Sequence, residues 1–133
     1  MKPRPYGPYA WSPIINRPKF TWPNGARVAV WLIPNIEFFA LNEQIPAAAG
    51  GGGKAPDVPN WAVRDYGNRI GIFRMMEVMD RYQARGTVAL NSDLCRMHPE
   101  IIDECMKRRW ELMGHNESNT RRLNDIPADQ EKA

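Results

Sequence analysis

WELMGHNESNT, residues 110–120, is a short apolar run that stops at Gly114 and continues without an apolar residue. This profile is typical of a buried strand that opens into a polar loop. Two earlier stretches have the same profile, since RVAVWLIP runs into Asn35 and TVAL runs into Asn91. Three strand ends that meet polar groups predict a functional site.

Helical patterns separate the three predicted strands. The first helix is predicted from about residue 68 to Gly86, on apolar residues at helical spacing: Ile72, Met75, Met76, Met79 and Tyr82. A second helix is predicted to begin at Pro99, since proline suits the first helical position, and to bury Ile101, Ile102, Cys105 and Met106. Pro127 is predicted to start a last short helix. Strands that alternate with helices indicate parallel βαβ units, an α/β fold.

The first strand, residues 27–33, is almost continuously apolar, which fits a strand covered on both faces and ended by Pro34. Residues 1–26 come before it and are predicted to form an extended arm, because their six prolines prevent both a helix and a central strand. The arm is expected to pack on its own domain or on a partner subunit through its aromatic side chains, which are Tyr6, Tyr9, Trp11, Phe20 and Trp22.

A long connection without helical periodicity is predicted over residues 35–64. Connections of this length in compact domains are usually functional or disordered. Its glycine run, residues 50–53, is not followed by Gly-Lys-Ser/Thr, so a phosphate-binding P-loop is rejected. A mobile lid or a linker is the prediction.

The composition fits a globular chain, with 133 residues, 43% apolar and 25% charged, enough for one ordinary domain. The formal net charge is only +3, and Lys and Arg are spread along the chain, so we expect no nucleic-acid partner. We expect no membrane partner either and a cytoplasmic location, because no apolar run is long enough to cross a bilayer. Cys95 and Cys105 lie too far apart for a Cys-x-x-Cys pair and are interpreted as two buried thiols.

Glu37 and His115 are the candidate catalytic residues, since a carboxylate beside an imidazole can activate water or fix the tautomer of the imidazole. Asn35, Asn91 and Asn119 are candidate substrate-binding residues, with amide groups for a carbonyl or amide substrate. Structural alternatives stay open. Asn91 could simply terminate a strand, Asn119 could close a turn, and His115 could be a hydrogen-bonded structural histidine.

Three segments resemble one known family. They are RVAVWLIPNIEFF, RDYGNRIGIFRMMEVMDRYQARGTVALNSDLCRMHPEII and WELMGHNESNTRRL. In this order they resemble the opening segments of the polysaccharide deacetylase (NodB-homology) family, in the branch with allantoinase-like and cyclic-imide-hydrolase-like members. The resemblance covers residue 17 to the end. Its YGNR-x-G segment contributes Arg69 as a further candidate for substrate binding.

The resemblance also implies where a metal would bind. Metal-dependent members carry two adjacent aspartates after strand one and two histidines four residues apart after strand three. These positions correspond to Glu37 and Phe38, and to His115 and Asn119. Because Phe38 and Asn119 are poor zinc ligands, we expect no metal cofactor, and zinc with an atypical ligand set is the lesser alternative.

The resemblance implies a partial (β/α) barrel for residues 27–133, because the later motifs of the family have no counterpart in this sequence. A second copy or a complementing chain is expected to complete the barrel. The implied function is hydrolysis of a C–N bond in a small-molecule amide, a cyclic amide or an N-acetyl carbohydrate. The alternative is a truncated, non-catalytic homologue that acts as a structural or binding module.

Overall fold

The computed structural model describes residues 9–123 and 126–130. The chain divides into two units, Met1–Val30 and Trp31–Ala133. Residues 27–30, which are part of the predicted first strand, therefore belong to the first unit.

The first unit contains two 3₁₀ turns, Ile14–Asn16 and Pro23–Gly25, and its described residues include no α-helix or β-strand. Its backbone is held locally, since Nε of Arg17 donates to the carbonyl oxygen of Ser12 at 2.8 Å. The rings of Phe20 and Trp22 pack edge to face with centroids 4.8 Å apart. The large apolar side chains described in this unit are exposed.

The described residues of the second unit form three strands and four α-helices. The strands are β1 (Asn35–Ile36), β2 (Thr87–Leu90) and β3 (Glu111–Gly114). The helices are α1 (Val58–Tyr66), α2 (Ile72–Arg81), α3 (Asp93–Met97) and α4 (Pro99–Lys107). A π-helical segment, Gly67–Gly71, joins α1 to α2, and a 3₁₀ turn, Ala47–Ala49, lies in the β1–α1 connection.

The sheet has the order β1-β2-β3, and both pairings are parallel. Asn35 lies beside Ala89, and Thr87 lies beside Glu111. The α/β prediction with parallel strands is therefore confirmed. The central strand β2 is the most deeply buried, as expected for a strand with a neighbour on each side.

The prediction for the first strand is wrong in its position. Val28, Val30 and Trp31 are exposed, and pairing begins with a bridge from Leu32 to Gly86. Pro34 does not end the pairing, because its carbonyl oxygen accepts a hydrogen bond from the backbone N–H of Ala89 at 3.0 Å. Proline is tolerated here because Pro34 lies directly before β1, and the start of a strand is one of the few places in a sheet where proline fits.

The first helix begins ten residues earlier than predicted, at Val58. The carboxylate of Asp57 caps it by accepting from the backbone N–H of Asn60, and a proline, Pro59, lies in its first turn, where no backbone donor is needed. The predicted long connection is therefore shorter, and it is the proline-rich sequence that hides this helix start. In α2, Ile72, Met76 and Met79 are buried as predicted, whereas Met75 and Tyr82 are exposed.

The helix at Pro99 is confirmed as α4, with Ile101 and Cys105 buried and Met106 exposed. The sequence interpretation misses α3, and it is wrong about Cys95, whose thiol is exposed. Residues 126–130 form a turn and no helix, and residues 131–133 lie outside the described part of the chain.

The core lies between the sheet and helices α2, α3 and α4. Its buried members are Ile36, Ile72, Met76, Met79, Val88, Leu90, Leu94, Ile101, Cys105 and Trp110. By contrast, all four residues of β3 are exposed, including the large apolar side chains of Leu112 and Met113. Among the described residues, no helix has the length and apolar character needed to cross a membrane.

Candidate functional site

The carboxyl ends of the three strands meet at one edge of the sheet. Ile36 pairs with Leu90, and Leu90 pairs with Gly114. The residues that follow each strand end, Glu37 and His115 among them, are therefore neighbours. This edge is where open parallel sheets bind their ligands.

Glu37 and His115 face each other across this edge. Nε2 of His115 lies 3.4 Å from Oε1 of Glu37. The His115 side chain is 42% exposed and the Glu37 side chain 31% exposed, so both can reach a molecule from solvent. The backbone N–H of His115 donates to the carbonyl oxygen of Leu90 at 2.9 Å, which fixes the start of this loop on β2.

Asn91 lies beneath this pair and is completely buried. Its Oδ1 accepts from the backbone N–H of Phe38 at 2.7 Å. Its Nδ2 donates to the carbonyl oxygen of His115 and, at 3.1 Å, to Oδ1 of Asn119. One amide thus ties the loop after β2 to the loops after β1 and β3. The hydrogen bonds give Asn91 a structural function, and its substrate-binding function stays a prediction.

Further hydrogen bonds hold the backbone of the β1 loop from both sides. Nδ2 of Asn68 donates to the carbonyl oxygen of Glu37 at 2.9 Å. The backbone N–H of Asn119 donates to the carbonyl oxygen of Phe38 at 3.0 Å, and the buried Ser118 hydroxyl donates to the same oxygen at 3.4 Å. The position of Glu37 is therefore determined by the π-helical segment and by the loop after β3.

A cavity of about 420 Å³ opens beside Glu37, large enough for a small molecule. The loop after β1 forms one wall, and residues of α1, the π-helical segment, α3 and the loop after β3 form the others. Four arginines line it, Arg64, Arg69, Arg96 and Arg121. His115 is not among the lining residues, so the cavity meets the Glu37–His115 pair on its Glu37 side.

The predicted substrate-binding residues are placed differently from one another. Arg69 lines the main cavity, where its Nε pairs with the carboxylate of Asp65. Asn35 is exposed and lines a smaller cavity of about 250 Å³, which also includes Glu37. Asn119 is half-buried and bonded to Asn91. The structure therefore brings Arg69 and Asn35 to two different cavities, both of which Glu37 lines.

Sequence reasoning missed several residues of the site. Asn68 stands in the quoted YGNR segment, but nothing in the residue pattern indicates that its amide holds the β1 loop. Ser118 belongs to a polar loop in which its burial is not visible. Arg96 lies on α3, and that helix has too few apolar residues to show a periodicity.

The donor groups at this edge do not fit a zinc ion. His115 and Glu37 offer two donors, but the side chain of Phe38 offers none, and the carboxamide oxygen of Asn119 already accepts from Asn91. Within residues 9–123 and 126–130, no three His, Cys, Asp or Glu side chains are grouped closely enough to hold a metal ion.

Comparison of the chain with known protein families, with curated proteins and with solved structures finds no match. The resemblance to the deacetylase family therefore stays a prediction from the three quoted segments.

Proposed function

We propose that this chain is a hydrolase-like protein that cleaves non-peptide C–N bonds in an amide, a cyclic amide or an N-acetyl group. The observation that supports this most is the contact of 3.4 Å between Oε1 of Glu37 and Nε2 of His115. It lies at the carboxyl edge of a parallel sheet and beside a cavity large enough for a small molecule.

In this proposal, Glu37 is the general base. A water molecule attacks the carbonyl carbon while Glu37 takes its proton, and a tetrahedral intermediate forms. His115, in its protonated form, polarises the carbonyl and then gives a proton to the leaving nitrogen. The C–N bond breaks, and a carboxylic acid and an amine result. Proton transfer from Glu37 to His115 across their contact restores both groups.

The surrounding residues divide into those that position the pair and those that meet the substrate. Asn91 fixes the backbone at Phe38 and His115, so it positions both catalytic residues. Arg69 and Asn35 line the two cavities that include Glu37 and are proposed to bind the substrate. Asn119 is proposed to bind the substrate through its Nδ2, because its Oδ1 accepts from Asn91.

We also propose that the second unit is part of a (β/α) barrel that another chain completes. In support, all four residues of β3 are exposed, and Leu112 and Met113 present apolar surface on this edge strand. The partner is a second copy of this chain or a complementing chain. A cytoplasmic location without nucleic-acid or membrane partners belongs to the same proposal.

The test is amide and imide hydrolysis by Glu37→Gln and His115→Ala. A panel of linear amides, hydantoins, cyclic imides and N-acetyl sugars covers the proposed substrates. We expect each substitution to lower kcat by about 100-fold or more, the usual contribution of a general acid or base. Glu77→Gln is the matched control, because Glu77 is exposed on α2 and lines neither cavity beside Glu37. Unchanged turnover in both site variants, with circular dichroism like that of the wild type, would refute the assignment.

One observation favours a second candidate, a non-catalytic binding module. The exposed edge of β3 resembles a surface that pairs with another polypeptide. Turnover of any substrate on the panel by the purified chain, abolished in Glu37→Gln, would eliminate this candidate.

A further inference from the structure

We infer that the amide substrate carries a carboxylate group, which is held by the guanidinium groups of Arg69, Arg96 and Arg121. This inference rests on the proposed function and names the class of substrate: a monoamide of a dicarboxylic acid or a similar acidic amide. The three arginines come from three different parts of the chain, and all line the cavity beside Glu37.

Each of these arginines is anchored by one neighbouring carboxylate. Nη2 of Arg96 lies 2.9 Å from Oδ1 of Asp93, and Nη2 of Arg121 lies 2.8 Å from Oε2 of Glu117. Nε of Arg69 pairs with the carboxylate of Asp65. Each of these ion pairs engages one nitrogen of a guanidinium group that has five N–H donors. Each ion pair therefore orients its guanidinium group and leaves the other N–H groups to donate to a second carboxylate.

Within two of these pairs, the positive group is the outer one. The side chains of Arg69 and Arg96 are 65% and 72% exposed, whereas those of Asp65 and Asp93 are 14% and 12% exposed. A molecule that enters the cavity thus meets guanidinium N–H donors before it meets these carboxylates. The rim of the cavity, formed by these arginines, therefore presents positive charge to a ligand, although each ion pair has no net charge.

The other carboxylates of the cavity define an orientation for the substrate. These carboxylates are Glu37 and Glu43. Oε2 of Glu43 is buried, whereas Glu37 is partly exposed beside His115. A substrate carboxylate is repelled by Glu37 and attracted by the arginine rim. The acidic end of the substrate therefore lies at the rim, and the amide carbon lies toward Glu37, where the proposed water attack takes place.

Binding of two small amides to the full chain tests this inference. Succinamate, the monoamide of succinate, carries a carboxylate, and butyramide is a neutral amide of similar size. Dissociation constants are measured by NMR titration for the wild type, for Arg96→Gln, for Arg121→Gln and for the variant with all three arginines changed to Gln. Arg85→Gln is the control, since Arg85 is exposed and does not line this cavity.

We expect the wild type to bind succinamate more tightly than butyramide. Each single substitution should weaken succinamate binding by about twofold to fivefold, the usual effect of an exposed ion pair, and the triple substitution by about tenfold or more. Butyramide binding should not change in any of these variants. Arg85→Gln should leave both constants unchanged.

The inference is overturned if butyramide binds as tightly as succinamate, if neither binds, or if the triple variant retains the preference. Inorganic phosphate that binds as tightly as succinamate would show an unspecific anion site and would also overturn it. Turnover is measured separately, so the two proposals can fail independently. Succinamate binding that depends on the arginines, without hydrolysis, would refute only the proposed reaction. Hydrolysis of both amides with equal affinity would refute only the acidic substrate.

Discussion

Replacement of Asn91 by leucine should be the most damaging single change at the carboxyl edge of the sheet. Leucine has the same number of side-chain heavy atoms with the same branching, so the substitution removes hydrogen bonds without opening a cavity. The backbone N–H of Phe38 loses its acceptor at 2.7 Å, and the carbonyl oxygen of His115 loses its donor. Both groups belong to the loops that carry the Glu37–His115 pair.

The size of the effect follows from the burial of this amide. Asn91 is 0% exposed, so water cannot replace the lost partners without rearrangement of the loops. A buried polar group left without a partner costs about 1–3 kcal/mol, so two such groups give a loss of about 2–6 kcal/mol in the free energy of unfolding. That is a large part of the total stability of about 5–15 kcal/mol that is usual for a domain.

Urea unfolding followed by circular dichroism measures this loss, provided that the slope of the transition is the same in both proteins. Asn42→Leu is the control, because Asn42 is exposed in the loop after β1. A loss of less than about 0.5 kcal/mol in Asn91→Leu, within the usual range of surface substitutions, would refute the view that this amide holds the three loops together.

Three further predictions concern the rest of the second unit. Gly51→Ala should lower the free energy of unfolding by about 1–3 kcal/mol, because its Cβ would lie 1.8 Å from a backbone carbonyl oxygen. Gly52→Ala is the control and should have little effect in the same urea assay, because the atom nearest to its Cβ would be 3.5 Å away. The backbone N–H of Gly52 lowers the pKa of Asp57, so the stability due to this carboxylate is present above its ordinary pKa and is lost as the pH falls through the lowered value. Urea midpoints should therefore fall more in the wild type than in Asp57→Asn between about pH 5 and about pH 2, and equal falls would contradict this. Burial raises the pKa of the Cys105 thiol to about 11. A thiol reagent at mild alkaline pH should therefore modify only Cys95 in the native chain and both cysteines after unfolding. Modification of both cysteines at equal rates in the native chain would contradict the burial of Cys105.

The sequence predicts the α/β class and the second and third strands well, because TVAL and WELM are short, mainly apolar runs bounded by glycine or polar residues. It predicts the start of α4 because Pro99 has one favourable place in a helix. It fails at the first strand, since the apolar residues 28–31 resemble a buried strand yet are exposed, and residues 28–30 belong to the first unit. Burial of a run depends on tertiary contacts, which periodicity does not record.

For the candidate site, the sequence predicts which residues meet but not how they are used. Parallel strands bring their carboxyl ends together, and this rule alone makes Glu37 and His115 neighbours. The amide of Asn91 could point to a ligand or to the backbone, and only the folded structure shows that it bonds to the backbone of Phe38 and His115. The positions of Arg96 and Arg121 around one cavity also depend on the packing of α3 and of the last loop, which no local pattern encodes.

The most direct test of the central claim is release of an amine or of ammonia by the purified chain, compared with the Glu37→Gln/His115→Ala double variant. The claim predicts turnover of at least one amide, imide or N-acetyl substrate by the wild type. In the double variant the rate should fall by about as much as in the more damaged single variant, because residues that act as a unit do not add their effects. Equal rates in the wild type and a folded double variant would contradict the claim.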